Sequence, residues 1–141
     1  MRDVDIAVEA LSGHTLALCR AGSILTSDLR GISPMMQLIA EGRELAGYSA
    51  ADLVVGKAAA LLFAYAHVVC VHAKVISEGA ISVLQKYGIE FSFEVRTPHI
   101  VNRRGDGICP MEQAVADTEN ADVAYGLLQA RLQELSKNKE K

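Results

Sequence analysis

Apolar residues recur along the chain at spacings that predict alternating helices and strands. The predicted elements are, in order, a helix over 3–11, strands over 15–20 and 23–27, helices over 34–42 and 53–65, a strand over 68–76, a helix over 77–87, a strand over 90–96, and helices over 109–117 and 121–135. This order favours an α/β fold, a three-layer α/β/α sandwich with a mixed sheet. We expect one domain over residues 1–136 and a charged, disordered tail over 137–141.

The longest apolar run predicts a buried helix near the middle of the chain. The segment from Ser49 to Asp52 has the form of a capping box, and residues 53–65 are almost all apolar. A helix that is apolar on all sides is a buried helix. Gly56, inside this run, marks either a close approach of another group or a later start of the helix.

Two later segments have the patterns of strands. Residues 68–76 are rich in β-branched side chains, which predicts a central strand covered on both faces. In segment 90–96, Phe91, Phe93 and Val95 alternate with polar residues. We therefore expect a half-buried strand with these three side chains on its inner face.

The composition excludes several classes of protein. A net charge of −3 is too small to attract nucleic acid or an acidic membrane. The three cysteines, Cys19, Cys70 and Cys109, are widely separated, which argues against a disulfide scaffold and favours a reducing compartment. The charge-poor stretch over 58–71 is shorter than the roughly 20 residues that span a bilayer. We expect a cytoplasmic protein with no nucleic-acid or membrane partner.

Lys57 is the charged residue in an otherwise apolar run between Asp52 and Lys74. Desolvation there would lower its pKa and make the amine a nucleophile or a base, and a polar cleft would make it a ligand-binding group. The alternatives are a structural lysine that pairs with Asp28, Asp52 or Glu78, or one whose amine reaches water past its apolar stem.

Cys109 precedes Pro110 at a predicted helix start, and Arg103 and Arg104 are close in sequence. A helix dipole and nearby arginines both lower a cysteine pKa, so Cys109 is a candidate nucleophile. Glu112 falls at the third helical position, where its side chain could reach back to the cap. The alternative is an inert cysteine in an ordered loop.

Two further loops lead into helix starts. One runs from Thr26 to Gly31, and the other is Ser77-Glu78-Gly79 after the predicted central strand, where α/β sheets bind ligands. The alternative is plain helix capping. The catalytic candidates are Cys109 and Lys57, and the ligand-binding candidates are Asp28, Arg30, Lys57, Ser77, Glu78, Asn102, Arg103 and Glu112.

The histidines do not indicate a metal site. None of His14, His67, His72 and His99 lies four residues from another histidine, and no zinc-ligand spacing is present. We expect no metal ligand and no other cofactor.

Four runs of the sequence carry a family resemblance. They are Thr26-Ser27-Asp28-x-Arg30-Gly31, Val55-Gly56-Lys57-Ala58-Ala59-Ala60, Lys74-Val75-Ile76-Ser77 and Asn102-Arg103-x-Gly105-x-Gly107-x-Cys109-Pro110-Met111-Glu112. They resemble the signature runs of an uncharacterised prokaryotic family with a cytidine deaminase-like fold, from about Val8 to Leu132. The resemblance implies that fold without implying a reaction.

The resemblance also implies where a deaminase would hold zinc. Zinc deaminases carry His or Cys ligands at the starts of two core helices. The corresponding segments here, 55–58 and 77–80, carry neither residue type. We expect Lys57 and Glu78 to face that region instead, as an ion pair in place of the metal.

Three functions remain open from the sequence. The first is metal-free binding of a small anionic or nucleotide-like ligand in a cleft. The second is a group-transfer enzyme that uses Cys109 or Lys57 covalently, rather than a zinc deaminase. The third is a structural role in a homo-oligomer whose interface the polar loops stabilise.

Overall fold

The computed structural model describes residues 1–101, 105 and 107–139. Six helices and five strands follow one another along these residues. They are α1 (Asp3–Ala10), β1 (Leu16–Arg20), β2 (Ser23–Ser27), α2 (Ser33–Ala40), β3 (Ser49–Val55), α3 (Lys57–Tyr65), β4 (Cys70–Ser77), α4 (Glu78–Lys86), β5 (Glu90–Thr97), α5 (Pro110–Ala114) and α6 (Ala121–Lys139).

The five strands form one mixed sheet in the order β2-β1-β3-β4-β5. β1 is antiparallel to both β2 and β3, whereas β3, β4 and β5 are mutually parallel. The hairpin predicted between the first two strands is confirmed. Ala21 and Gly22 both have positive φ, at 49° and 85°, which gives the turn a twist that matches the flanking strands.

Helices cover both faces of this sheet. Successive side chains of a strand point to opposite faces, and the two sets join different buried clusters. The smaller cluster consists of Ala7, Leu11, Ala17, Cys19 and Ala51, so α1 covers one face. The larger cluster contains Leu16 and Leu18 together with buried residues of α2 to α6. The predicted α/β sandwich with a mixed sheet is thus confirmed.

The segment before Gly56 differs from the prediction. Residues 49–55 form β3, between β1 and β4, and α3 begins only at Lys57. The prediction of a capping box at Ser49–Asp52 was therefore wrong. Pairing with strands on both sides decides the conformation here, and an isolated sequence pattern does not report that pairing. Gly56, in extended conformation, is the residue before the helix.

β5 also differs from the prediction, because it lies at the edge of the sheet. Phe91 packs against the larger cluster, but Phe93 is 38% exposed and Val95 is 55% exposed, so the inner face expected for this strand is covered only at its start. At the other end of the chain, α6 extends through Lys139 and includes the first three residues of the predicted tail. Its last turn carries no glycine or proline that would stop a helix.

Candidate functional site

A small cleft lies where β3 gives way to α3. Its walls come from the loop before α2, the end of β3, the first turn of α3, and the segment that leads into α5. The apolar lining includes Ile32, Val54, Ala59, Ile100, Cys109 and Met111, and the volume is about 90 Å³. We call it the β3 cleft. It brings together Cys109 and Glu112 from the sequence candidates.

The charged group in the lining of this cleft is Glu112, which caps α3. Its Oε1 accepts a hydrogen bond from the backbone N–H of Lys57 at 2.8 Å, and its Oε2 accepts one from Ala58 at 2.7 Å. Helix N–H groups in the first turn lack partners within the helix, and the helix dipole favours a negative charge beside them. The prediction that Glu112 reaches back to its own helix was wrong; the carboxylate serves another helix.

Gly56 makes room for this carboxylate. A Cβ added at Gly56 would lie 2.7 Å from Cδ of Glu112 and 2.8 Å from Cγ1 of Ile100. Real Cβ atoms essentially never come so close to another heavy atom, so a larger residue would displace Glu112 or Ile100. Of the two explanations open for Gly56, the structure shows both a close approach and a later helix start.

The side chain of Lys57 leaves the cleft. Its Nζ donates a hydrogen bond to the carbonyl of Ala116 at 3.0 Å, and its stem passes the Cα of Gly79. Glu78 lies 3.6 Å from Nη2 of Arg96. The expected Lys57–Glu78 ion pair was therefore wrong, and the amine binds a carbonyl in place of the acids considered for it. With Glu112, Lys57 ties the segment from α5 to Ala116 onto the start of α3.

Ser77 caps α4, as predicted. Its Oγ accepts a hydrogen bond from the backbone N–H of Ala80 at 3.1 Å, and the residue is only 3% exposed. The hydroxyl of Ser77 therefore stabilises the start of α4, and it does not line the β3 cleft.

The remaining ligand-binding candidates lie in exposed or undescribed positions. Asp28 is exposed, with its Oδ1 2.7 Å from Nδ1 of His14. Arg30 is exposed and immediately precedes Gly31, which lines the β3 cleft. Asn102 and Arg103 lie outside the residues that the structure describes.

Cys109 is partly buried in the wall of the cleft. Its N–H donates to the carbonyl of Ile100 at 3.0 Å, and its own carbonyl accepts from Gln113 at 3.1 Å. Only five residues of helix follow it in α5. The backbone around this thiol is therefore well held, although the helix is too short for a strong dipole.

Asp52 is a buried acid that the sequence candidates did not include. It lies opposite Leu16 of β1 and Ala73 of β4, and it is 9% exposed. Burial raises the pKa of this carboxyl from 3.8 to about 7, while the N–H groups of Val54 and Leu53 oppose the shift. The signal in the sequence is an acid alone among apolar residues, but the cap-like pattern of residues 49–52 predicts a helix start there.

A larger cavity of about 400 Å³ opens where the ends of α3 and α4 meet the start of α6. Its lining includes Tyr65, His67, Tyr87 and Asp122. The hydroxyl of Tyr87 donates to the carbonyl of Glu119 and accepts from the N–H of Ala121, both at 2.9 Å. This hydroxyl therefore helps to anchor α6, and the sequence candidates do not converge on the cavity.

Two negative observations apply to the described part of the chain. Within residues 1–101, 105 and 107–139, no three His, Cys, Asp or Glu side chains are grouped to hold a metal ion. Over the same residues, no helix has both the length and the apolar character needed to cross a membrane.

Comparisons with known proteins give a family and two solved structures with some similarity to this chain. The family model described as TM1506: Domain of unknown function (DUF1893) matches residues 8–132. A solved DUF1893 family protein (TM1506) from Thermotoga maritima superposes with a TM-score of 0.81, at 26% identity over 94% of this chain and 89% of that one. A dCMP deaminase from the cyanophage S-TIM5 gives a TM-score of 0.45, at 16% identity over 67% of this chain and 94% of that one. No curated protein matches the sequence.

Proposed function

Since the chain belongs to the DUF1893 family, whose function is unknown, we propose a function from its own site: it binds a small nucleotide-like ligand in the β3 cleft. The ring of the ligand lies between Val54 and Met111, and its N–H groups donate to Glu112. Its anionic group lies outside the cleft, on the side of Gly31 where Arg30 is exposed. No metal or other cofactor takes part.

The apolar lining beside one fixed carboxylate is the observation that carries this proposal. Ligand sites combine apolar walls with a few well-placed polar groups. Each oxygen of Glu112 accepts one backbone hydrogen bond, and a carboxylate oxygen has room for another. A flat ring with N–H donors, such as a nucleobase, matches both features.

The position of Glu112 also selects against a bare anion. The N–H groups of Lys57 and Ala58, which a phosphate or sulfate would use, already hold a negative charge. A second anion would be repelled or would have to displace Glu112. The cleft of about 90 Å³ is far smaller than a pocket that encloses a drug-sized ligand, about 300–1,000 Å³. It therefore encloses only one part of the ligand.

Calorimetric titration with nucleobases, nucleosides, nucleotides and inorganic phosphate tests this proposal. Val54→Arg fills the cleft from a position that is already 45% exposed. Val123→Arg, at a position on α6 that is 51% exposed, is the matched control. We expect a base-containing ligand to bind wild type and the control but not Val54→Arg. Equal binding to all three, or binding of inorganic phosphate alone, would contradict the proposal.

The presence of Cys109 in the same lining favours a second candidate, a thiol-dependent group-transfer enzyme. Alkylation of the intact protein by iodoacetamide across a pH series reports how readily this thiol ionises, with Cys109→Ser as the blank. Group transfer requires a thiol that reacts faster near neutral pH than a free cysteine of pKa about 8.5. A rate equal to that of free cysteine would remove this candidate.

A further inference from the structure

β5 is an edge strand whose outer side is uncovered by the described residues. Six of its eight residues are exposed, and Phe91 and Thr97 are half-buried. Phe91 and Phe93 stack with their ring centroids 6.5 Å apart. An uncovered edge with exposed apolar side chains pairs readily with another strand, and the charged residues of β5 then decide which pairing is favourable.

The backbone groups on this open edge belong to the apolar residues. The N–H of Glu90 donates to the carbonyl of Val69, toward the neighbouring strand. Because backbone groups alternate along a strand, Ser92 and Glu94 also bond inward. The N–H and C=O groups of Phe91, Phe93 and Val95 therefore point away from the sheet.

We infer that β5 pairs with β5 of a second copy of this chain, in antiparallel register centred on Phe93. In this register Phe93 lies opposite Phe93 of the other copy, and Phe91 lies opposite Val95. All three residues exchange backbone hydrogen bonds across the two-fold axis. The same register places Glu90 opposite Arg96, twice in each dimer.

The charges select this register over its neighbours. Pairing in which the outward backbone groups meet allows only shifts by an even number of residues. A register centred on Ser92 places Glu90 opposite Glu94, and one centred on Glu94 places that residue opposite its own copy. Like charges directly opposite each other destabilise a strand pair, whereas opposite charges stabilise it.

The side chains of Glu90 and Arg96 remain accessible to a second copy of the chain. Glu90 contacts Nη2 of Arg2 at 2.6 Å, and Arg96 contacts Glu78 at 3.6 Å, yet the Glu90 and Arg96 side chains remain 57% and 55% exposed. Pairing one strand edge buries less than the roughly 1,200–2,000 Å² of a stable interface. We therefore expect a dimer that dissociates on dilution.

Sedimentation velocity of the full chain over a range of concentrations tests this inference. Wild type should shift from monomer to dimer as concentration rises. Phe93→Lys places two like charges at the two-fold axis and should remain monomeric. Glu90→Arg and Arg96→Glu should each be monomeric alone, because each creates two like-charged pairs. An equimolar mixture of these two variants should form a heterodimer, because both of its cross-strand pairs are then complementary.

Urea unfolding of each variant verifies that it is folded. If Phe93→Lys does not fold, Glu90→Arg and Arg96→Glu still test the inference. If the wild-type chain is monomeric up to its solubility limit, the inference is overturned. The partner of this edge would then be a strand of another protein. A dimer that persists in folded Phe93→Lys, or that mixing the charge variants does not restore, also overturns it.

Discussion

The carboxylate of Glu112 lies against Gly56, at the point where β3 ends and α3 begins. Both carboxylate oxygens accept backbone hydrogen bonds from the first turn of α3. The two hydrogen bonds span 55 and 54 positions of the sequence, and Glu112 forms one side of the β3 cleft. The helix start therefore depends on a side chain from a distant segment, and Gly56 is the position that admits it.

Replacing Gly56 by alanine should destabilise the protein strongly. The new Cβ would lie 2.7 Å from Cδ of Glu112, so the cap is lost or the backbone shifts. We expect the free energy of unfolding to fall by about 2–4 kcal/mol, the sum of overpacking and a lost cap. Urea unfolding measures it. Gly79→Ala is the control, because its Cβ meets Lys57 only at 3.4 Å; an equal loss there would refute the steric explanation.

Replacing Glu112 by glutamine should destabilise the protein less than Gly56→Ala does. The amide keeps one acceptor oxygen but places its NH₂ group against the second backbone N–H and removes the charge at the helix start. We expect a loss of about 1–2 kcal/mol in the free energy of unfolding. Glu134→Gln, on a side chain that is 68% exposed beside Arg131, should cost less than about 0.5 kcal/mol. Similar losses at both sites would show that Glu112 does not cap α3.

Asp52 should make stability depend on pH. Its pKa is raised to about 7 in the fold, so between about pH 4 and pH 7 the folded state binds more protons than the unfolded state. Stability therefore falls as pH rises through this window, by up to about 1.4 kcal/mol per pH unit, and is level above it. Asp52→Asn lacks this titration. Urea unfolding of both proteins at several pH values should show the stability of the variant, relative to wild type, increasing with pH; a constant difference would contradict the raised pKa.

The variant Lys57→Met tests whether the amine of Lys57 stabilises the fold or binds the ligand. Methionine keeps the stem beside Gly79 but loses the hydrogen bond to the carbonyl of Ala116. We expect a loss of about 1 kcal/mol in the free energy of unfolding, with ligand binding retained. Lys86→Met is the control, since its Nζ lies 3.4 Å from a carbonyl oxygen on the exposed surface. Unchanged stability with abolished binding would place the amine in the site.

Local chemistry explains which elements the sequence predicted well. The hairpin at Ala21-Gly22 and the start of α4 at Ser77 depend on residues within a few positions of one another. Turn and cap preferences are readable at that range. These local patterns predict an α/β sandwich with a mixed sheet, and only the family resemblance implies a particular fold.

The errors came from contacts that are distant in sequence. β3 has a cap-like start, but pairing with β1 and β4 makes it a strand. The side chains of Glu112 and Lys57 each bond to a segment more than 50 residues away, and spacing along one helix does not reveal such partners. The open edge at β5 likewise follows from the strand order, which alternation of apolar residues does not give.

Amide chemical shifts measured while a nucleotide-like ligand is added test the central proposal most directly. We expect the largest changes at Gly56, Lys57 and Ala58, and at Cys109 and Met111 across the β3 cleft. The same titration of Val54→Arg should leave these signals unchanged. If no base-containing ligand shifts them, or if the changes fall instead around Tyr65 and Tyr87 at the larger cavity, the β3 cleft is not the binding site.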